Sequence, residues 1–394
     1  MEGRNRTSLK LLLVVQMTFW LRNGIIAPVF ALFIRRMGIS VTQIGLLMMT
    51  QMVGWAIFEP TFGVIADRLG KKRLMIYSII TTSIIYVSYT FASSLWHLFL
   101  IAFAMSSNSA AGAVSSRAML TELIPPSGRG KTYGRYMAAV SAGQVFAPLL
   151  GGFLTEAVGY TAPFYVSGGL GVASLLAVLP LRYDEAARRE ATFYPGPPGM
   201  GGLRTRPFLS LLLIRLLYMF NMNFQRSNLP ILLHESTSFR ASETQIGFYM
   251  GALRLASALS QLFLGDLSDR VGPKRILVFG LFMGGLSYLS LIYLHGVLLL
   301  YLLGAIQGVF FAATDLGMMI YLMRIIPRGS SGKAMGFYGL SEDIGGILAA
   351  PSLGVIYDLI GPLSSVISVS GVLMVDAALS IFLVKTNDVE GEER

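Results

Sequence analysis

Long apolar runs recur along the whole chain, and short polar or charged stretches cut them into twelve segments. These cover roughly 10–34, 42–66, 73–92, 97–122, 132–157, 160–182, 208–233, 244–267, 275–294, 297–323, 333–357 and 362–384. A helix needs about 20 apolar residues to cross a hydrocarbon core of ~30 Å. Each segment therefore predicts one crossing, and the chain reads as an all-α membrane protein with twelve transmembrane helices.

Two of the polar breaks are near copies. Gly63-Val64-Ile65-Ala66-Asp67-Arg68-Leu69-Gly70-Lys71-Lys72-Arg73 is matched by Gly265-Asp266-Leu267-Ser268-Asp269-Arg270-Val271-Gly272-Pro273-Lys274-Arg275, 202 positions later. Each closes one apolar run and opens the next, which predicts a tight charged hairpin at a membrane surface. Its glycine lets helices approach, its Asp caps or pairs, and its basic cluster holds one side. The same offset links Thr42-Gln43-Ile44-Gly45 to Thr244-Gln245-Ile246-Gly247, Pro28 to Pro230, Pro125 to Pro327, and Gly130-Lys131 to Gly332-Lys333. A constant offset over so many matches means a duplicated unit. The expected organisation is a six-helix bundle over 1–183, a linker over 184–206, a second bundle over 207–385, and a polar tail over 386–394. The linker is marked by charges followed by Pro195-Gly196-Pro197-Pro198-Gly199.

Composition narrows the function classes. The chain is 54% hydrophobic and only 13% charged, with a mean hydropathy of +0.64, against about 25% charge in soluble domains. Its net charge of +10 reports basic loops rather than nucleic-acid binding. Most Lys and Arg lie in loops of one side, from Arg4, Arg6 and Lys10 through the two hairpins to Lys385, whereas the other side holds Arg35, Arg36 and Arg240. The positive-inside rule puts both termini in the cytoplasm. No cysteine and three scattered histidines argue against thiol chemistry or a metal site. No nucleotide loop is visible. These observations favour a transporter without a cofactor over an enzyme, and the first apolar run reads as a retained span rather than a cleaved signal.

The hairpin motif resembles the signature loop of the major facilitator superfamily, and the resemblance covers nearly the whole chain. It implies two pseudo-symmetric six-helix bundles that work by alternating access, with substrate near mid-membrane between them. The fifth segment, with Gly143, Ala147, Pro148, Gly151 and Gly152, resembles the antiporter motif of drug-exporting members, Ala147 replacing a glycine; Gly345, Pro351 and Gly354 echo it in the eleventh. The first segment, Leu21 to Val29, is similar to the first-helix motif of twelve-span drug:proton antiporters. One departure stands out. That branch carries an arginine about 19 residues before the acidic residue at the end of the fourth span, here Glu122, and the count falls on Phe103. The resemblance also implies gating roles for Gly63, Asp67, Arg68, Gly70, Lys71 and Glu122, with Arg117 able to join them, and for Asp269 and Arg270 in the second copy. Asp67 is expected to meet the start of the eleventh helix, where the helix dipole favours an anion.

Charges inside the spans carry the candidate chemistry. An ionised side chain near the bilayer centre costs at least about 2.5–3.5 kcal/mol unless it faces water or a partner. Arg22, with Asn23 beside it, and Arg226 stand in the first and seventh segments, which line the central cavity in this superfamily. Each either grips an anionic substrate or is neutralised within its own half. Arg215 is expected to snorkel as a structural residue. Glu59, Asp315, Glu342 and Asp343 are candidates for proton coupling, Arg254 pairs with Asp315 or Asp343, and Asp376 serves packing. The expected function is proton-coupled export of lipophilic or amphipathic small molecules by a multidrug-efflux-like antiporter. The alternative is an organic-anion or lysolipid transporter using Arg22 and Arg226, and a third reading is a receptor or lipid scramblase. Expected partners are a small-molecule substrate, protons and membrane lipids, with no nucleic acid, in a monomer of a prokaryotic plasma membrane.

Overall fold

In the computed structural model the described residues are 2–123, 129–181, 205–236, 238–326 and 331–384, and all regular structure among them is helical. In chain order the helices are α1 (Glu2–Ile26), α2 (Phe30–Arg36), α3 (Val41–Leu69), α4 (Lys71–Tyr89), α5 (Leu95–Leu123), α6 (Arg129–Val158) and α7 (Ala162–Val178). The second series is α8 (Arg206–Asn223), a π-helical turn (Phe224–Asn228), α9 (Leu229–Glu235), α10 (Glu243–Val271), α11 (Pro273–Ser290), α12 (Val297–Ile325), α13 (Ser331–Ile360) and α14 (Pro362–Leu383). The tail, nearly all of the expected linker, and the side chains of Asp67 and Glu122 lie outside the described residues.

Among the described residues, seven helices are long and apolar enough to cross a membrane: Ser8–Arg36, Val41–Ala66, Leu95–Leu120, Arg206–Glu235, Val297–Ile325, Ala334–Ile360 and Pro362–Leu383. Ala162–Val178 is apolar but shorter. At the remaining expected positions stand α4, α6, α10 and α11. Two of these are diluted by charge: α4 opens on Lys71, Lys72 and Arg73, and α10 holds Glu243, Arg254, Asp266, Asp269 and Arg270.

The duplication is visible in the helix boundaries. Shifting α3, α5 and α6 by 202 residues reproduces both ends of α10, α12 and α13. Gly70 and Gly272, the hairpin glycines, adopt φ of 96° and 89°, a left-handed conformation that lets the next helix start at once. Gly38 (φ 79°) has Arg240 (φ 42°) at the equivalent position, the one positive-φ non-glycine among the described residues. Its strain is a lapse of the repeat.

The chain forms two compact units, 1–33 with 50–194 and 242–247, and 34–49 with 195–241 and 248–394. In the first, α1 packs on α6 and α7, and α4 on α5 and α7. Small residues permit this. A Cβ at Gly143 would lie 2.7 Å from the Met17 carbonyl oxygen, and one at Gly151 would collide with the Ile25 carbonyl. Leu12, Val15, Met75, Met119 and Val178 fill the space between these helices. In the second unit, α11 packs on α12 and α14, and α8 on α13, where Gly345 meets the Leu216 backbone.

The opening turns of α3 belong to the second unit and those of α10 to the first. Each is held by a carboxylate. Asp358, near the end of α13, accepts the Val41 and Thr42 amides at 3.2 and 2.7 Å. Glu156, near the end of α6, accepts the Thr244 amide at 3.3 Å. The acids and the amides obey the 202 offset, so the cap is a duplicated feature. A carboxylate there satisfies free N–H groups and meets the positive end of the helix dipole. Glycines allow the close approach: Gly354 and Gly45 against Thr42 and Ala350, Gly152 and Gly247 against Glu243 and Pro148.

Two outcomes are expected from thermal unfolding of the purified chain in detergent. Arg240→Gly should raise stability by about 1 kcal/mol, because the left-handed penalty of a side chain disappears; an unchanged or lower midpoint would remove the strain argument. Asp358→Asn should lower it by about 1 kcal/mol, and Glu156→Gln by less, since Asp358 accepts two amides and Glu156 one.

Candidate functional site

The interior of the second unit is organised by Arg215, nine residues into α8. Its Nε and Nη2 donate to Glu342 Oε1 at 2.9 and 2.6 Å, and Nη1 donates to Asp315 Oδ1 at 2.9 Å. The guanidinium also lies against the Tyr218 and Tyr338 rings, 5.7 and 5.0 Å from their centroids. Three helices, α8, α12 and α13, are thereby tied at one point. Arg215 is only 10% exposed in its side chain, so it does not snorkel as expected. Asp315 is its partner and not that of Arg254. The reason is geometric: a planar guanidinium offers five donors and serves two carboxylates at once.

Two and a half turns further along, α8 widens into the π turn Phe224–Asn228. Such bulges are often found at functional sites. Here the flanking residues are pinned inward. Gln225 Nε2 donates to Tyr288 Oη at 2.9 Å, Tyr288 donates to Asn221 Oδ1 at 2.6 Å, and Asn228 Nδ2 donates to the Leu353 carbonyl at 3.0 Å. Phe224, Gln225, Ser227 and Asn228 are buried, and Arg226 alone in the turn is exposed. Arg254 of α10 is half-buried, its guanidinium 5.3 Å from the Phe311 ring centroid. Among the described residues neither Arg226 nor Arg254 has a hydrogen-bond acceptor or an ion-pair partner, whereas Asp343 has an interaction of its own.

The first unit uses its arginine differently. Arg22 is 2% exposed; its Nε donates to the Ser167 carbonyl and its Nη2 to Ser83 Oγ, both at 2.7 Å, and the guanidinium lies 5.4 Å from the Tyr86 centroid. Asn23 accepts a bond from Tyr86 at 2.9 Å. Arg22 and Asn23 therefore spend their polar groups inside the bundle of α1, α4 and α7. No carboxylate neutralises Arg22 among the described residues, so of the two readings the acid within its own half is not met. Serine hydroxyl, carbonyl and ring face take its place.

Glu59 lies on α3, ten residues or about 15 Å from its Leu69 end. Its Oε2 accepts from Trp55 Nε1 at 2.6 Å, and its Oε1 from Arg117 Nη1 of α5 at 2.8 Å. The pair is accessible, with the Glu59 and Arg117 side chains 34% and 66% exposed. Arg117, expected among the gating charges, thus meets Glu59. Phe103, at the position of the missing arginine, packs on Phe58 with centroids 5.2 Å apart and continues to Phe62.

Of the hairpin residues, Gly63 has open space where a Cβ would stand, Arg68 and Arg270 are exposed, and Lys71 is engaged. Asp269 approaches Arg324 at 4.0 Å with 78% of its side chain exposed, an ion pair of little energetic weight. Asp376 is fully buried on α14, with neither oxygen hydrogen-bonded. The capping acids Asp358 and Glu156 are absent from the sequence-based candidates, although their 202 offset was a readable signal. Tyr86 and Ser83 gave none.

Comparison with known proteins agrees with this architecture. The sequence profile of the Major Facilitator Superfamily matches residues 12–229 and 211–393. An uncharacterised transporter of this type from Methanocaldococcus jannaschii is 22% identical over 91% of this chain and 93% of its own length. The multi-drug resistance efflux pump PmrA of Streptococcus pneumoniae is 24% identical over 82% and 83%. Among solved structures, the nucleoside transporter NupG superposes with a TM-score of 0.82 at 15% identity, covering 96% of this chain and all of that one. A bacterial homologue of the human lysosomal transporter Spinster, inward-facing and unoccupied, gives 0.79 at 17% identity, covering 98% of each chain. The helical repeat and the matching profile over both halves lead to one conclusion: the chain belongs to the major facilitator superfamily and is a multi-pass membrane transporter, not an enzyme.

Proposed function

We propose that this protein is a proton-coupled exporter of amphipathic small molecules that works by alternating access. It acts as a monomer in a prokaryotic plasma membrane, with twelve crossings, a cytoplasmic linker between its halves and both termini in the cytoplasm. The observation that carries the reading is the accessible ion pair of Glu59 with Arg117, set about 15 Å along α3 beside Trp55 and the Phe58–Phe103 contact. A carboxylate held by one guanidinium is a two-state device. Ionised, it ties α3 to α5; protonated, it loses most of that attraction and Arg117 is released. Proton uptake and loss at Glu59 can therefore bias the arrangement of these helices, which is what coupling requires. Resemblance to efflux pumps such as PmrA supports export, and the basic hairpins with Asp67, Lys71 and Glu122 would latch the cytoplasmic side.

Proteoliposomes loaded with a pH-sensitive dye test this reading. Addition of an amphipathic anion such as dodecyl phosphate should drive proton movement in the wild type. Glu59→Gln should reduce that coupled flux at least tenfold while the protein remains folded. Full coupled flux in Glu59→Gln would overturn the assignment.

A further inference from the structure

We propose that Arg226 and Arg254 form a binding site for the anionic headgroup, carboxylate or phosphate, of an amphipathic substrate. The inference rests on the transporter reading above and names the chemistry its substrate carries.

The two residues reach the same level of the second unit from different helices. Arg226 lies nine residues, about 13 Å, from the Glu235 end of α9, and Arg254 eleven residues, about 16 Å, from the Glu243 end of α10. Two guanidiniums at one depth of the membrane helices, neither with an acceptor among the described residues, form an unfavourable arrangement. Proteins keep such an arrangement when something outside the chain completes it.

The neighbouring carboxylates do not complete it. Glu342 Oε1 receives two bonds from Arg215, and Asp315 Oδ1 receives the third. Arg215 thus holds both carboxylates, whereas Arg226 and Arg254 have no acceptor among the described residues. The π turn is what presents Arg226, since its flanking residues are buried and hydrogen-bonded within the unit. In the first repeat the equivalent position is Gly24, packed tightly against Ala147. Arg226 is thus an addition specific to the second repeat, not a requirement of the shared helix packing. The surroundings select the rest of the ligand. Phe311 lies under Arg254 and packs beside Tyr218, with centroids 6.3 Å apart, so an apolar tail has aromatic surface next to the charge. An arginine pair suits a carboxylate or phosphate because each guanidinium can donate two parallel bonds.

The test uses the full chain in nanodiscs and probes matched in chain length: dodecyl phosphate, laurate, dodecyltrimethylammonium and inorganic phosphate. Dodecyl phosphate and laurate should each bind at least tenfold more tightly than dodecyltrimethylammonium, and inorganic phosphate should bind weakly. Arg226→Gln and Arg254→Gln should each weaken dodecyl phosphate at least tenfold and leave dodecyltrimethylammonium unchanged, which also reports an intact fold. Arg226→Lys should retain part of the affinity, because charge remains while the fork is lost. Equal affinity for both signs of headgroup, or wild-type binding of dodecyl phosphate by the two Gln variants, would overturn the site. Inorganic phosphate binding as tightly as dodecyl phosphate would overturn the amphiphile. Selective anion binding without substrate-driven proton movement would leave this site standing and remove the coupling reading.

Discussion

A guanidinium in the middle of a membrane helix must find acceptors, because hydrocarbon offers none. Arg215 meets that demand by taking Glu342 and Asp315 together, and the rest of the second unit is arranged around this junction. It joins α8, α12 and α13 by directional bonds, whereas apolar helix faces can slide on one another. It also engages one oxygen of each carboxylate, while Arg226 and Arg254 have no acceptor among the described residues.

The two repeats solve the same packing problem with different chemistry. Glycines at equivalent turns and matching helix ends preserve the scaffold, and the paired caps of Asp358 and Glu156 preserve its corners. Inside, the repeats diverge. The first buries Arg22 among serines, a backbone carbonyl and Tyr86, at the position where the second buries Phe224. The second instead carries its arginine on a widened turn. Duplication preserves the backbone geometry, and the polar side chains are then free to differentiate.

Aromatic side chains take part in each polar cluster. Trp55 donates to Glu59, Tyr86 lies against Arg22, and Phe311 lies against Arg254. A ring supplies a hydrogen-bond donor or a negative face at low conformational entropy, so it stabilises a charge without adding another one.

Apolar run lengths, the 202-residue offset and the charged hairpins were enough to derive an all-helical duplicated membrane protein, because those features follow from hydrocarbon thickness and from local turn chemistry. Glu59, Arg226 and Arg254 were recognisable as charges needing an explanation, since their position within an apolar run is itself the anomaly. Their partners were not recognisable. Arg117 and Glu59 are 58 positions apart, and Arg215 and Glu342 are 127 apart. Every acid in the same half was an equally good candidate on spacing alone. Which pairs form depends on the rotation of each helix about its axis, and the π turn at 224–228 changes that rotation without a composition that announces it. The sequence by itself determined the scaffold and the inventory of charges. Only the tertiary structure decided which charges are satisfied and which are left open, because ion pairing depends on distances of a few ångströms between helices far apart in the chain.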